Sequence, residues 1–233
     1  SPTESYRRAV RTLFSEMGNN KEMIFYRLDN AAGTMQYDRM PNRSGNTTNY
    51  RGGSLLGATQ EMVDAYFMSN GESPISGYSA DGVTPIINEK SDYVEEGVST
   101  TEYKGTDGTL YAPVGTRMMY VNREPRFYAS IASDRTYWRL GRTTSSLQEV
   151  VAYQGENFGL QAKRITSTIP QNLTGYWVKK WSCSKVELYT YSSGLRGMGT
   201  APYPVIRLAE MYLIAAEAWN EYGGNNAKVY ENL

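Results

Sequence analysis

The stretch from Tyr203 to Tyr222 restricts the possible folds more than any other part of the chain. Leu208, Ala209, Tyr212, Ala216 and Trp219 recur at spacings of three and four, which puts them on one face of an α-helix. Pro204 suits the first turn of such a helix, where its missing N–H removes no hydrogen bond. One amphipathic helix is therefore expected over residues 203–222, with that face buried. Ala209, Ala215, Ala216 and Ala218 are small enough for a second helix to approach closely. Gly223 and Gly224 can supply the left-handed backbone that ends a helix. Asn225 and Asn226 can then turn the chain and cap a second helix over residues 227–233. Helix, tight turn and helix make the hairpin that stacks in helical-repeat proteins.

Upstream the patterns are shorter. Ala9, Val10, Leu13, Phe14 and Met17 form a helical face that Gly18, Asn19 and Asn20 terminate. Met23 to Tyr26 is a brief apolar run, expected to be buried. Asn30 to Leu55 is rich in Gly, Asn, Ser and Arg and reads as a long irregular loop. Between Ala58 and Met68 a short helix is expected, capped by Thr59, with Val63, Tyr66 and Phe67 on its apolar side. Residues 71–113 form a second loop-rich tract that holds Tyr78, Tyr93, Tyr103 and Tyr111. Pro125 opens a helical or extended stretch whose Phe127, Tyr128 and Ile131 can face a core, and Tyr137 and Trp138 form an aromatic patch. Tyr176, Val178 and Lys180 alternate with Trp177, Lys179 and Trp181, the two-residue period of a strand.

Composition removes several classes of function. Basic and acidic residues balance at 24 each, so no basic footprint points to nucleic acid. The chain has no histidine, which removes His-based triads, His metal sites and the commonest general base. Cys183 is the single cysteine and reads as a small semi-buried residue. No apolar run approaches the roughly 20 residues that span a bilayer, and no charged-then-apolar leader is visible at Ser1. Tyrosine is abundant, 20 residues against 5 Phe, and its apolar face and polar tip suit half-wet surfaces.

Five segments together carry a resemblance. The residues from Tyr203 to Ala218 resemble the "RLAE.YL..AEA" helix of SusD/RagB-like proteins. Asn19 to Phe25 resembles that family's "NN.EiIF" segment, and Ala58 to Gly71 its "PTqeLvdaY.m.dG" segment, with Ala58 and Phe67 standing where proline is frequent. Asn122 to Ile131 resembles "nRdPRfyasi", and Thr174 to Trp181 resembles "tGy..kKy". The five occur in family order from about Asn19 to Leu233.

The resemblance implies a mainly α, SusD-like fold in which TPR-type helical repeats pack against a loop-rich region with small β elements. It implies one domain fragment over residues 1–233, loop-rich over 19–202, with a helical hairpin beginning at 203. The family's N-terminal part and C-terminal end are absent from this fragment. It further implies a non-catalytic, lipid-anchored protein on the outer-membrane surface, its anchor outside this chain. Such a protein captures polysaccharide or oligosaccharide for a SusC-like TonB-dependent transporter, and no cofactor or metal is expected.

A saccharide site needs aromatic faces beside amide or guanidinium groups. The candidates are Asn46, Tyr50 and Arg51 in the first loop tract and Tyr78, Tyr93 and Tyr103 in the second. Asp92, Glu95 and Glu96 are read as a solvated acidic turn. As a glycosidase pair, neighbours such as Glu95 and Glu96 would point to opposite faces of a strand, and a calcium site from these oxygens ranks below the turn. Gly194 to Gly199 has the wrong spacing for a phosphate loop. Asn42, Asn46 and Asn172 open chance glycosylation patterns. Two other readings stay open: a hydrolase using Asp92, Glu95, Glu96 or Asp107, and a binder of a non-sugar nutrient or of protein alone.

Overall fold

The computed structural model describes residues 20–27, 56–106, 108–139, 147–153, 172–180 and 203–233. The described residues begin with strand β1 (Met23–Arg27), followed among them by helix α1 (Gln60–Asp64) and the hairpin β2 (Ile75–Tyr78) with β3 (Pro85–Ile87). A second hairpin, β4 (Tyr103–Lys104) with β5 (Leu110–Ala112), precedes a 3-10 turn at Met118–Tyr120 and helix α2 (Pro125–Ser130). Then come β6 (Ile131–Ala132), β7 (Tyr137–Arg139), β8 (Leu147–Glu149), β9 (Trp177–Val178) and β10 (Tyr203–Arg207). Helices α3 (Leu208–Tyr222) and α4 (Asn226–Glu231) end it. The strands pair antiparallel in twos: β1 with β10, β2 with β3, β4 with β5, β6 with β9 and β7 with β8.

The expectation of a mainly α fold is not met, because helix and strand each account for about a quarter of the described residues. The reason is local. Pro74, Gly77, Gly82, Pro85, Gly105 and Gly108 interrupt the second loop tract too often for a helix of several turns. The Ile and Tyr residues between them suit short strands. Asp81 holds the β2–β3 turn: Oδ1 accepts from the Ser79 hydroxyl at 2.6 Å and from the Val83 and Thr84 amides at 2.9 Å. These donors hold its carboxyl well below the usual carboxylate range, the Ser79 hydroxyl foremost.

Residues 203–207 are also a strand rather than the start of the helix. Pro204 lies opposite Tyr26 in a two-stranded ladder, where a missing N–H can be tolerated at an edge. Leu208 then opens α3 without a side-chain cap from Arg207. Glu22, far away in sequence, takes that part. Its carbonyl accepts from the Leu208 amide at 2.8 Å, and its carboxylate accepts from the Ala209 amide at 3.1 Å. A carboxylate there satisfies an orphan donor and complements the helix dipole. Replacing Glu22 by Ala is expected to cost about 1 kcal/mol, seen as faster hydrogen exchange at Leu208 and Ala209. An unchanged rate at both amides would refute the capping role.

The end of the helix follows the sequence pattern. Gly223 and Gly224 adopt φ of 78° and 82°, and the Asn225 side chain accepts from the Lys228 amide at the start of α4. The helical face behaves otherwise. Ala216 is buried, but Tyr212 and Trp219 are 49% and 37% exposed. Among the described elements α3 packs on α4 and β10, which cover only part of its apolar stripe. Ile24, Phe25 and Tyr26 of β1 are likewise exposed, not buried as expected, since β1 sits in a two-stranded ladder.

The core lies between the two hairpins and α2. Val63, Met68, Tyr93, Tyr120, Phe127, Tyr128, Ile131 and Tyr176 form its cluster. Thr59 caps α1 by accepting from the Met62 amide, and Pro125 begins α2, where its lost N–H is harmless. Polar tips inside the core are joined in a chain. Tyr120 donates to Tyr176 at 2.9 Å, Tyr176 donates to Gln60 at 2.7 Å, and Gln60 donates to Asp64 at 2.9 Å. Such pairing keeps the buried Tyr120 and Tyr176 hydroxyls from costing stability, with Gln60 at the exposed end of the chain.

Arg123 is a fully buried charged residue of this core. Its guanidinium donates to the Val63 carbonyl at 2.8 Å and the Tyr66 carbonyl at 3.1 Å, closing the C-terminal end of α1. It lies 5.4 Å from the Tyr93 ring centroid and 5.2 Å from that of Phe127. Asn122 before it takes φ of 61°, a left-handed value that Asn tolerates better than most residues. The Asn122 carbonyl accepts from the Ser69 amide at 2.8 Å. The asparagine of the third glycosylation pattern is committed too: Asn172 donates to the Tyr176 carbonyl and accepts from the Thr174 amide.

Candidate functional site

One cleft of about 350 Å³ opens where the β4–β5 hairpin, α2, β7 and the end of β9 meet. Its described lining is Thr109, Leu110, Tyr111, Tyr128, Thr136, Tyr137 and Lys179. Tyr111 and Tyr128 stack with centroids 4.5 Å apart and planes inclined by 12°. Tyr128 is fixed from inside: its hydroxyl donates to the Tyr120 carbonyl at 2.7 Å and accepts from the Arg123 amide at 3.1 Å. Burial pushes the Tyr128 phenol up, so it stays neutral.

Tyr137 is 40% exposed and presents a ring that solvent reaches. Lys179 is placed by the β6–β9 ladder, where its amide donates to the Ser130 carbonyl at 2.7 Å. Its ammonium donates to the Tyr137 carbonyl at 3.4 Å. Thr136 closes the turn before β7, its hydroxyl accepting from the Ser133 amide at 3.1 Å. The cleft thus combines apolar ring faces with hydroxyl groups and one ammonium. Ring faces can stack on the C–H face of a flat ligand while the polar groups set its orientation.

The sequence candidates fall in different places. Asn46, Tyr50 and Arg51 lie outside the described residues, as do Asp107, Cys183, and Gly194 to Gly199. Tyr78 is half-buried and donates to Asp64 at 2.7 Å, which together with burial pushes its phenol up to about 12. Tyr93 is 6% exposed, with its hydroxyl bonded to Glu95 and its ring beside Arg123. Tyr103 borders the cleft, 5.8 Å from the Tyr111 ring and 5.9 Å from that of Tyr128. Asp92 and Glu96 are exposed, and no group of three or more metal-ligating side chains occurs among the described residues.

Tyr111 and Tyr137 stand in the sequence only as members of aromatic tracts. Lys179 stands there only as one member of an alternating strand. The available signal was that alternation, which separates Lys179 from Val178 and Lys180 but names no partner.

The model of the SusD family (SusD_RagB) matches residues 21–233. The chain belongs to the SusD family. Among solved structures it is similar to a selenomethionine form of BT4246, at 22% identity and a TM-score of 0.66 over 100% of this chain and 36% of that one. A second BT4246 structure matches at 23% identity and a TM-score of 0.63, over 99% of this chain and 35% of that one. A SusD-like protein, BF3747 from Bacteroides fragilis NCTC 9343, matches at 22% and 0.60, over 97% of this chain and 37% of that one. This SusD-family chain therefore spans about a third of the length of those structures. Comparison with curated proteins gives no match.

Two of the segments that carried the resemblance have structural work to do here. Asn122 to Ile131 supplies the left-handed Asn122, the buried Arg123, the start of α2 and the cleft residue Tyr128. Thr174 to Lys180 supplies β9 and Lys179.

Proposed function

We propose that this SusD-family chain belongs to a non-catalytic receptor that captures oligosaccharide or polysaccharide at the cell surface. The observation that carries the reading is the cleft: a stacked Tyr111–Tyr128 pair and an exposed Tyr137 ring, bordered by threonine hydroxyls and Lys179. Sugar rings offer a C–H face to aromatic planes and hydroxyls to the polar rim. Of the six residues singled out from sequence, Tyr103 is the one retained in this proposal, as a buttress for Tyr111. In this reading the receptor is lipid-anchored to the outer membrane and hands ligand to a SusC-like TonB-dependent transporter. Among the described residues no helix is long and apolar enough to cross a membrane. Affinity is expected to be modest, since a few ring contacts must offset lost ligand freedom and hydration.

Calorimetric titration against a panel of polysaccharides, with reducing ends assayed in parallel, tests the reading. Binding without new reducing ends is expected. Tyr137→Ala should weaken it roughly tenfold, because tyrosine is enriched among the few contact residues whose truncation costs more than about 1 kcal/mol. New reducing ends that disappear in a Glu→Gln variant would replace this reading with hydrolysis. A second reading, a scaffold that binds protein alone, is favoured by the exposed Met211, Leu213 and Ile214 on α3. Transporter capture without affinity for any glycan would select it.

A further inference from the structure

We propose that residues 120–123 form a socket for the Tyr128 hydroxyl, and that Asn122 is a positioning residue for the aromatic floor of the cleft; this rests on reading that cleft as the glycan site. Asn122 is not among the described lining residues. Val121 takes φ of −90° and ψ of 150°, and Asn122 takes φ of 61°. Those angles belong to a type II turn, whose third residue needs a positive φ and is commonly Gly or Asn. Such a turn is often closed by a hydrogen bond from the amide of its fourth residue to the carbonyl of its first. Here the Tyr128 hydroxyl stands between the two. It accepts from the Arg123 amide at 3.1 Å and donates to the Tyr120 carbonyl at 2.7 Å. A phenol can do both at once, so one side chain closes the turn and is gripped by it.

The turn is itself held from its other side. The Asn122 carbonyl accepts from the Ser69 amide at 2.8 Å, and its side-chain oxygen accepts from the Ser69 hydroxyl at 2.7 Å. Arg123 forms a bridge with Met68, and the Glu124 amide donates to the Phe67 carbonyl at 3.0 Å. The socket therefore has a fixed base. Orientation passes outward from it through rings. Tyr128 lies 4.5 Å from Tyr111 with planes inclined by 12°, and Tyr103 flanks them at 5.8 and 5.9 Å. Tyr111 stands on β5, which pairs with the two residues of β4 across a register shift. A two-stranded hairpin that short is marginal by itself, so the stack on Tyr128 gives Tyr111 much of its tilt. Groups behind the contact residues decide whether such a site is tight or loose. Asn122 acts in this way, through the backbone angle that aims the Arg123 amide at the phenol.

The test uses the full chain and separates the backbone angle from the side chain. Asn122→Gly keeps the left-handed angle and loses the bond from Ser69, whereas Asn122→Ala disfavours the angle itself. Near-ultraviolet circular dichroism reads the stacked tyrosine pair, calorimetry reads binding of xylo-, gluco- and manno-oligosaccharides, and urea denaturation reads stability. Asn122→Ala is expected to lose tyrosine dichroism and to bind about fivefold more weakly while still folded, with Asn122→Gly matching the wild type in both. Tyr128→Phe, which lacks the hydroxyl, should behave like Asn122→Ala, and it carries the same test if the alanine variant does not fold. In a Tyr111→Leu background Asn122→Ala should change the dichroism no further, because the pair is already gone. A lower urea midpoint for Asn122→Ala with dichroism and affinity unchanged overturns the positioning role and leaves the glycan reading standing. Dichroism that follows the expected pattern while no oligosaccharide binds the wild type supports the socket and overturns the glycan reading.

Discussion

Replacing Arg123 by Met is expected to lower the unfolding free energy by about 3 kcal/mol, and replacement by Ala by about 5 kcal/mol. The side chain closes the Val63 and Tyr66 carbonyls and fills the space between the Tyr93 and Phe127 rings. Methionine restores most of the volume but removes two charge-assisted hydrogen bonds; the Val63 carbonyl keeps the Tyr66 amide at 3.3 Å, while loss of the guanidinium from the Tyr66 carbonyl costs roughly 1–3 kcal/mol. It also removes two cation–π contacts worth roughly 0.5–2 kcal/mol each. Opposing this, the mutant no longer desolvates a guanidinium, a cost visible in the lowered pKa of Arg123, for which burial is the main cause. The carbonyls and rings outweigh that relief because four partners surround one charge. Arg123→Lys should also destabilise, since a point charge cannot span both carbonyls as a planar fork does. Urea denaturation decides the matter. A loss below about 1 kcal/mol for Met would mean that desolvation cancels the hydrogen bonds.

The second large effect is alkaline. Tyr93, Tyr120, Tyr128 and Tyr176 are buried, and burial is the first cause of the raised pKa of each. A phenol whose folded pKa is raised stabilises the fold fully below its unfolded value, about 10. Above that value the unfolded chain releases protons that the folded chain keeps, so stability falls with rising pH. Each such phenol removes about 1.4 kcal/mol per pH unit above its unfolded pKa, and the four together remove about 5.5 kcal/mol per pH unit. An ordinary domain has roughly 5–15 kcal/mol in all. Cooperative unfolding is therefore expected between about pH 10 and pH 12, with tyrosinate absorbance and circular dichroism changing together. Ionisation of these phenols at ordinary pH with the fold intact would contradict their burial.

What the sequence conveyed was mostly local. Thr59, Pro125, Gly223 and Asn225 were legible as caps and breaks because each acts on its neighbours in the chain. The helix from Leu208 was legible for the same reason: fifteen residues repeat one spacing. Residues 203–207 were not, because Pro204 suits a helix start and an edge strand equally, and only the distant β1 decides between them. The balance of strand and helix was missed because pairs such as Ile131 with Val178 join segments with no shared pattern. The cleft was hidden still more deeply. Lys179 reaches Tyr137 across 42 residues, and a chain with 20 tyrosines marks too many rings to show which ones remain accessible. Tyr93 and Tyr103 have the same side chain, yet one is sealed beneath a guanidinium and the other flanks the cleft.

The pairing of strands only in twos has a consequence for how such a surface can diversify. Among the described ladders only β9 has a second neighbour, an isolated bridge from Trp177 to Gly57, so lengthening the β4–β5 hairpin shifts no register in another ladder. The β4–β5 tip can gain or lose residues while the Tyr120–Tyr176–Gln60 chain and Arg123 keep their partners, since none of those bonds passes through it. The hairpin tip and these core bonds thus lie in separate parts of the chain, and Tyr128 is the residue shared by the core cluster and the cleft lining. A directed-evolution library confined to residues 105–109 should retain most of its members as folded protein, with variation expressed beside Tyr111 rather than in the core.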